Sequence, residues 1–218
     1  MGFPERDERL YASWGAQLDA ILRDLYTLNH HRALWRDVQQ MIGAANLPAS
    51  TFFDSMGIWY ASTQAAGIRR LVDRRRGSVS LVRLLDEMAR HPGVMSRARF
   101  AGLYDHYDGY AAAFYGRFAD ATGERIDPAK VRASIREIEE VAGRIEQYVN
   151  ERIAHRATEP IHEVPTYAEL HDAIDAISEV VRTYTSLVKA THIAAFEPVI
   201  QYDWRAPFRR AWLPEVPG

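Results

Sequence analysis

An all-α fold, an elaborated antiparallel helical bundle, is predicted by three features of this 218-residue chain. Apolar residues recur at three- and four-residue steps in nearly every segment, which is the period of an amphipathic helix. No stretch keeps the two-residue alternation of a half-buried strand. The breaks between periodic segments are short and carry residues that stop and start helices: Asn46-Leu47-Pro48, Gly77, His91-Pro92-Gly93, Thr122-Gly123 and Asp127-Pro128.

The first helix is expected from Glu8 to about Ala44, with Leu10, Trp14, Leu18, Ile21, Leu25, Leu28, Leu34, Val38, Met41 and Ile42 as its apolar side. After Pro48, Ser50 or Thr51 caps a second helix. It runs from Phe52 to about Asp73 and carries Phe53, Met56, Trp59, Tyr60, Ile68, Leu71 and Val72. Arg74-Arg75-Arg76-Gly77 ends it. Ser80 starts a short helix with Leu81, Leu84, Leu85 and Met88, stopped by His91-Pro92-Gly93. Residues 97–121 read as one aromatic-rich helix. Asp127-Pro128 is a strong start, with aspartate as cap and proline in the first turn, for an amphipathic run from Val131 to Ile153. Thr166, after a loop holding Pro160 and Pro165, opens the last long helix through Val188. No repeat, low-complexity run or dividing linker appears, so residues 1–218 read as one domain with an irregular aromatic tail from about Pro198.

Composition narrows the function classes. Hydrophobic residues at 47% against 26% charged suit a globular chain with its own core. No apolar run approaches the roughly 18 residues that a membrane helix needs, and Met1 to Asp7 has no signal-peptide core. Cysteine is absent, which excludes a disulfide framework, thiolate metal sites and thiol catalysis. These features together point to the cytoplasm. A net charge of −2 gives no global pull toward nucleic acid, so an RNA contact would be a local patch. Glycine-rich phosphate loops and a Gly-x-Ser-x-Gly elbow are missing, against a P-loop enzyme or an α/β-hydrolase.

The stretch with the most chemistry is Asn150-Glu151-Arg152-Ile153-Ala154-His155-Arg156, at the end of the Val131–Ile153 run. In an α-helix, Arg152 and His155 share a face. An imidazole moves protons near neutral pH and a guanidinium holds phosphate, the pair a phosphodiester-cleaving site uses. The plain alternative is a cluster of cations complementing a helix C-terminus.

Several segments, in order, resemble the HEPN superfamily, in its abortive-infection, AbiU-like branch. They are Leu28-Asn29-His30-His31-Arg32-Ala33-Leu34-Trp35, Phe52-Phe53 leading to Ile68-Arg69-Arg70-Leu71-Val72-Asp73, Ser78-Val79-Ser80-Leu81-Val82-Arg83-Leu84-Leu85, the Asn150–Arg156 stretch, and Thr166-Tyr167-Ala168-Glu169-Leu170. The resemblance spans roughly residues 15–190 and rests on order and spacing. It implies a helical bundle that often dimerises and a metal-independent ribonuclease of toxin–antitoxin or phage-defence systems. RNA, a second copy of the chain and an antitoxin protein are the partners it implies, with no cofactor and no metal. The family's motif is an arginine, four to six residues, then a histidine. His155 matches the histidine and Asn150 the polar residue that commonly follows the arginine, but Val149 stands where the arginine is expected. On this resemblance His155 is the acid/base, Arg152 stabilises the phosphate, Asn150 orients the imidazole or a phosphate oxygen, and Arg156 assists substrate binding. The rival is a HEPN scaffold that has lost cleavage and serves as an interaction module.

Other clusters carry less. Arg69, Arg70, Arg74, Arg75 and Arg76 form either a phosphate-binding patch or a solvated helix end pairing with Asp73 and Asp86. His30-His31 are adjacent, about 100° apart on a helix, and make a poor metal pair. Tyr104-Asp105-His106-Tyr107-Asp108, His162-Glu163 and His171-Asp172 lack a second ligand pair at metal spacing. The aromatic stripe from Phe100 to Phe118 reads as core, with Tyr104, Tyr107 and Tyr110 as an alternative partner surface.

Overall fold

In the computed structural model the described residues are 3–46, 48–104, 108–154, 164–197 and 199–210, with backbone alone for 152–154. Among them seven α-helices pack into an all-α bundle: α1 (Glu5–Ala44), α2 (Thr51–Val72), α3 (Leu81–Arg90), α4 (Arg97–Ala101), α5 (Gly109–Gly116), α6 (Pro128–Tyr148) and α7 (Tyr167–Lys189). The long helices run antiparallel in sequential and spatial pairs. Leu28 of α1 faces Gly67 of α2, while Trp35 faces Gly57. Tyr11 bonds Val188 at one end of α7, and Arg32 bonds Asp175 toward the other. Tyr184 meets Ser134, and Arg144 pairs with Glu169, so α6 and α7 are antiparallel as well.

Local sequence explains the helix boundaries. Ser50, Ser80, Ser96, Asp108, Asp127 and Thr166 each accept a bond from a first-turn backbone N–H, satisfying donors that a helix start leaves open. Thr166 and Glu169 form a reciprocal capping box. Ser80 is fully buried; its hydroxyl also donates to the carbonyl of Asp73, tying the end of α2 to the start of α3.

The core follows the predicted stripes: Trp14, Leu18, Ile21, Leu25 and Leu28 from α1; Ile68 and Leu71 from α2; Leu81, Leu84, Leu85 and Met88 from α3; Val131, Ile138 and Ile145 from α6; Ile174, Ile177, Val181 and Leu187 from α7. Each such side chain contributes roughly 1.5–3 kcal/mol relative to exposure. Trp14 is sealed in with its indole N–H donating to Glu87 at 2.9 Å.

Three sequence expectations need correction. Residues 97–121 are not one helix. Gly102 ends α4, and Asp108 starts a separate α5 by accepting from the N–H of Ala111. Residues 118–127 then fold back, with isolated antiparallel bridges Ser96–Arg125 and Ala119–Ile126. The Val131–Ile153 run is α-helical only to Tyr148; Val149–Ala154 is π-wound. The C-terminal part of α1 and the N-terminal part of α2 do not bury their apolar side. Val38, Met41, Ile42, Phe52, Phe53 and Met56 line an open cavity of about 820 Å³ with Phe208, and Phe52 and Trp59 are 54% and 60% exposed. The tail reaches this end through an Arg205–Asp37 ion pair.

Candidate functional site

The candidate stretch begins where α6 changes winding. Its helix is fixed to the core by Ile138, Ala142 and Ile145, and the next inward residue is Val149, 3% exposed within the same core cluster. The apolar β-branched residue at the predicted arginine position is therefore a packing residue. Beyond it the backbone is π-wound through Ala154. Short π segments inside helices recur at functional sites. The three-residue spacing that faces Arg152 toward His155 belongs to α winding. Under i→i+5 bonding, neighbours on a face lie farther apart in sequence.

Asn150 is half-buried and turned toward α2. Its Oδ1 accepts from Nε of Arg69 at 2.7 Å. Arg69 is itself largely sequestered, its side chain 16% exposed, with Asp73 one turn on at 4.0 Å. The amide oxygen of Asn150 is thus engaged by a guanidinium, leaving its Nδ2 as the group that can donate outward. Of the other sequence candidates, Arg152 is described by its backbone only, and His155 and Arg156 lie outside the described residues, as do Asp105, His106, Tyr107, His162 and Glu163.

Arg69 belongs to a cluster that the sequence presents as a solvated helix end. The structure divides that cluster. Arg70 pairs with Asp24 and Arg74 with Glu139, both exposed. Asp86 pairs with Arg90 on its own helix rather than with the cluster. Arg83 closes the 73–80 turn by donating to the carbonyls of Arg75 and Ser78. Arg69 alone points inward, because α2 is buried on two faces. Ala65 and Val72, four before and three after, are buried, and α2 packs against α6. That spacing was the available sequence signal for Arg69.

A second polar cluster lies at the α1–α2–α7 junction. Arg32 is buried and bonds Asn29 at 2.7 Å and Asp175 at 2.6 Å. Tyr60 Oη lies 2.7 Å from Nε2 of His171, the hydroxyl donating when that nitrogen is unprotonated. Burial first, then the Arg32 and Arg36 charges, hold His171 below the ordinary histidine value. Burial pushes the Tyr60 hydroxyl up to about 12. Trp35, Tyr60 and Tyr167 pack ring against ring here. This is a structural network, and His171 is its titratable member.

Among the described residues no three His, Asp or Glu side chains gather in a way that could hold a metal ion, and no helix is long and apolar enough to cross a membrane. His31, beside His30 on α1, is held below the ordinary histidine value by burial and then by its neighbour. Of the aromatic stripe, Phe100 and Tyr115 are core, whereas Tyr110 is 83% exposed.

In comparison with known families, the profile described as HEPN_AbiU2, AbiU2, aligns with residues 11–205. No curated protein and no solved structure gives a significant match.

Proposed function

The chain belongs to the AbiU2 family of HEPN abortive-infection proteins, and from that premise we propose that it is a metal-independent endoribonuclease of phage defence, acting as a toxin at the π-wound end of α6. The observation that supports this reading is the construction of that end. Val149 anchors it in the core, and Asn150 is held by a guanidinium from another helix, so the segment leading to His155 starts from a fixed geometry. Fixed geometry is what positioned acid–base chemistry requires.

In the proposed reaction His155 takes the proton of an RNA 2′-hydroxyl as its oxygen attacks the adjacent phosphorus. The 5′-oxygen leaves as a hydroxyl after accepting a proton from a second imidazole, and a 2′,3′-cyclic phosphate remains. A second copy of the chain, joined at the same helix ends, supplies that second His155. Arg152 and Arg156 are the substrate-side cations, and an antitoxin protein is the natural restraint in the cytoplasm. The test is incubation of the purified protein with total RNA and with tRNA in the presence of chelator, beside His155→Ala. Cutting that persists in chelator and vanishes in the variant is expected. Equal cutting by both proteins, or none by either, removes the proposal.

One observation favours a second reading, a HEPN scaffold that does not cut: an apolar core residue, Val149, occupies the position expected for the motif arginine. Absence of cutting together with a stable homodimer or a co-purifying partner would support that module.

A further inference from the structure

We infer that Arg69 of α2 is the phosphate-binding guanidinium of this site, with Asn150 and Asp73 as its positioning residues; this rests on the ribonuclease reading above. Cleavage of a phosphodiester builds negative charge on the non-bridging oxygens and needs a cation held at phosphorus. Arg69 is a largely buried guanidinium in direct contact with the candidate segment. Its Nε is spent on the neutral amide of Asn150, which contributes orientation without cancelling charge. Asp73 stands at the 4.0 Å limit of an ion pair and also accepts from the backbone N–H of Arg75. It therefore steers the fork and offsets part of its charge. With Nε on Asn150 and Nη1 facing Asp73 at 4.0 Å, the outer edge of the fork at Nη2 remains to engage a phosphate oxygen, a charge-assisted bond suited to arginine. The neighbouring cations Arg70 and Arg74 are committed to Asp24 and Glu139 on exposed surface and do not compete for this role.

The position also suits the chain's electrostatics. Net charge is −2, so phosphate recognition depends on a cation whose field is strengthened by a low-dielectric wall. Arg69 sits on a stretch of α2 whose neighbours Ala65, Ile68 and Val72 are buried in the core.

The experiment measures kcat and KM on a short single-cut RNA for the full chain and for His155→Ala, Arg69→Gln, Arg69→Lys and Asn150→Ala, with thermal melting of each. Glutamine keeps the stem and a donor for Asn150 but removes the charge. The expected result is a fall in kcat of about 10²-fold for Arg69→Gln, melting near wild type, and partial recovery on adding guanidinium ion but not urea. Recovery by a free cation is a signature that a purely structural arginine would not give. Asn150→Ala, which frees the fork without removing it, should lose about tenfold in kcat. If glutamine unfolds the chain, Arg69→Lys decides. A folded lysine variant with kcat down at least about tenfold supports the role, since an ammonium lacks the fork. His155-dependent cutting with either folded Arg69 variant within about threefold of wild type overturns this inference and leaves the ribonuclease reading standing. Absence of His155-dependent cutting in wild type removes both.

Discussion

Replacing Val149 by arginine would restore the family's motif on paper, yet the structure predicts that it damages the protein. Val149 is 3% exposed and sits in the core cluster with Ile145 and Leu170. Val149→Ala sets the baseline. Two methyl groups at about 0.8 kcal/mol each, plus a cavity contribution, give roughly 2 kcal/mol. For a chain of this length that lowers Tm by about 4–8 °C. Val149→Arg loses the same apolar burial, overfills the site at a further ~1–3 kcal/mol, and leaves a guanidinium partly buried without a carboxylate, worth several kcal/mol more. The sum, about 5 kcal/mol or greater, approaches the whole stability of many domains. Urea denaturation followed by circular dichroism measures it, with RNA cutting assayed in parallel. If Val149→Arg melts within about 3 °C of wild type and Val149→Ala costs under about 0.5 kcal/mol, then Val149 does not face the core. In that event the motif arginine would have a place on α6, and the reason for looking to α2 would be gone.

Other consequences follow from named contacts. A Cβ added at Gly67 would stand 2.4 Å from Cδ2 of fully packed Leu28, so Gly67→Ala should destabilise by about 1–3 kcal/mol despite its better helix propensity; a gain measured by urea titration would mean that α1 and α2 are not in close approach. Thr166→Ala removes the capping box of α7 and should cost about 1 kcal/mol, with Glu169→Gln lowering stability less; thermal melting distinguishes them, and no loss in Thr166→Ala refutes the cap. His171 has a folded value below the unfolded one of about 6.5, so below that pH the unfolded chain binds the proton more readily. Stability should therefore decline as pH falls from 7 through 6.5 toward the lower folded value, with His31 acting in the same direction. His171→Gln should flatten that decline, and an unchanged pH slope would show that the imidazole is not sequestered. Glu169, whose folded value is depressed by its Thr166 bonds, loses its contribution only at more acidic pH, so the two effects separate along the pH axis.

The fold was legible because the long helices carry their own apolar period and every α-helix after α1 starts at a side-chain cap. Ser50, Ser80, Asp127 and Thr166 mark starts that need no tertiary information. What was not legible depended on partners distant in sequence. The aromatic segment after Arg97 keeps an apolar density that helix and loop share, so the break between Gly102 and Asp108 is masked, and the bridges of Ser96 and Ala119 to Arg125 and Ile126 leave no local pattern. The stripe from Leu34 to Ile42 has correct helical spacing, but period alone does not say whether another element reaches that far. In the structure it faces an open cavity shared with Phe52, Phe53 and Phe208. The π winding after Tyr148 likewise follows no residue signature that α propensity would reveal.

The same division governs the site. A motif read along one helix assumes that the acid–base residue and its cation are sequence neighbours. Here the residue at the cation's expected position is committed to packing, and Asn150 instead meets a guanidinium 81 positions away. Bundle geometry makes such an exchange inexpensive in structural terms. The last turn of α2 borders the segment that follows α6, so a cation carried by α2 reaches the side chain of Asn150. Moving the cation to α2 frees the inward position of α6 for a valine that strengthens the core at the point where the winding changes. It also places the cation in the last turn of a helix that packs against α1, α3, α6 and α7. A missing motif arginine is thus weak grounds for a lost activity in a bundle of this kind, and spatial neighbours of the segment are the residues to substitute first.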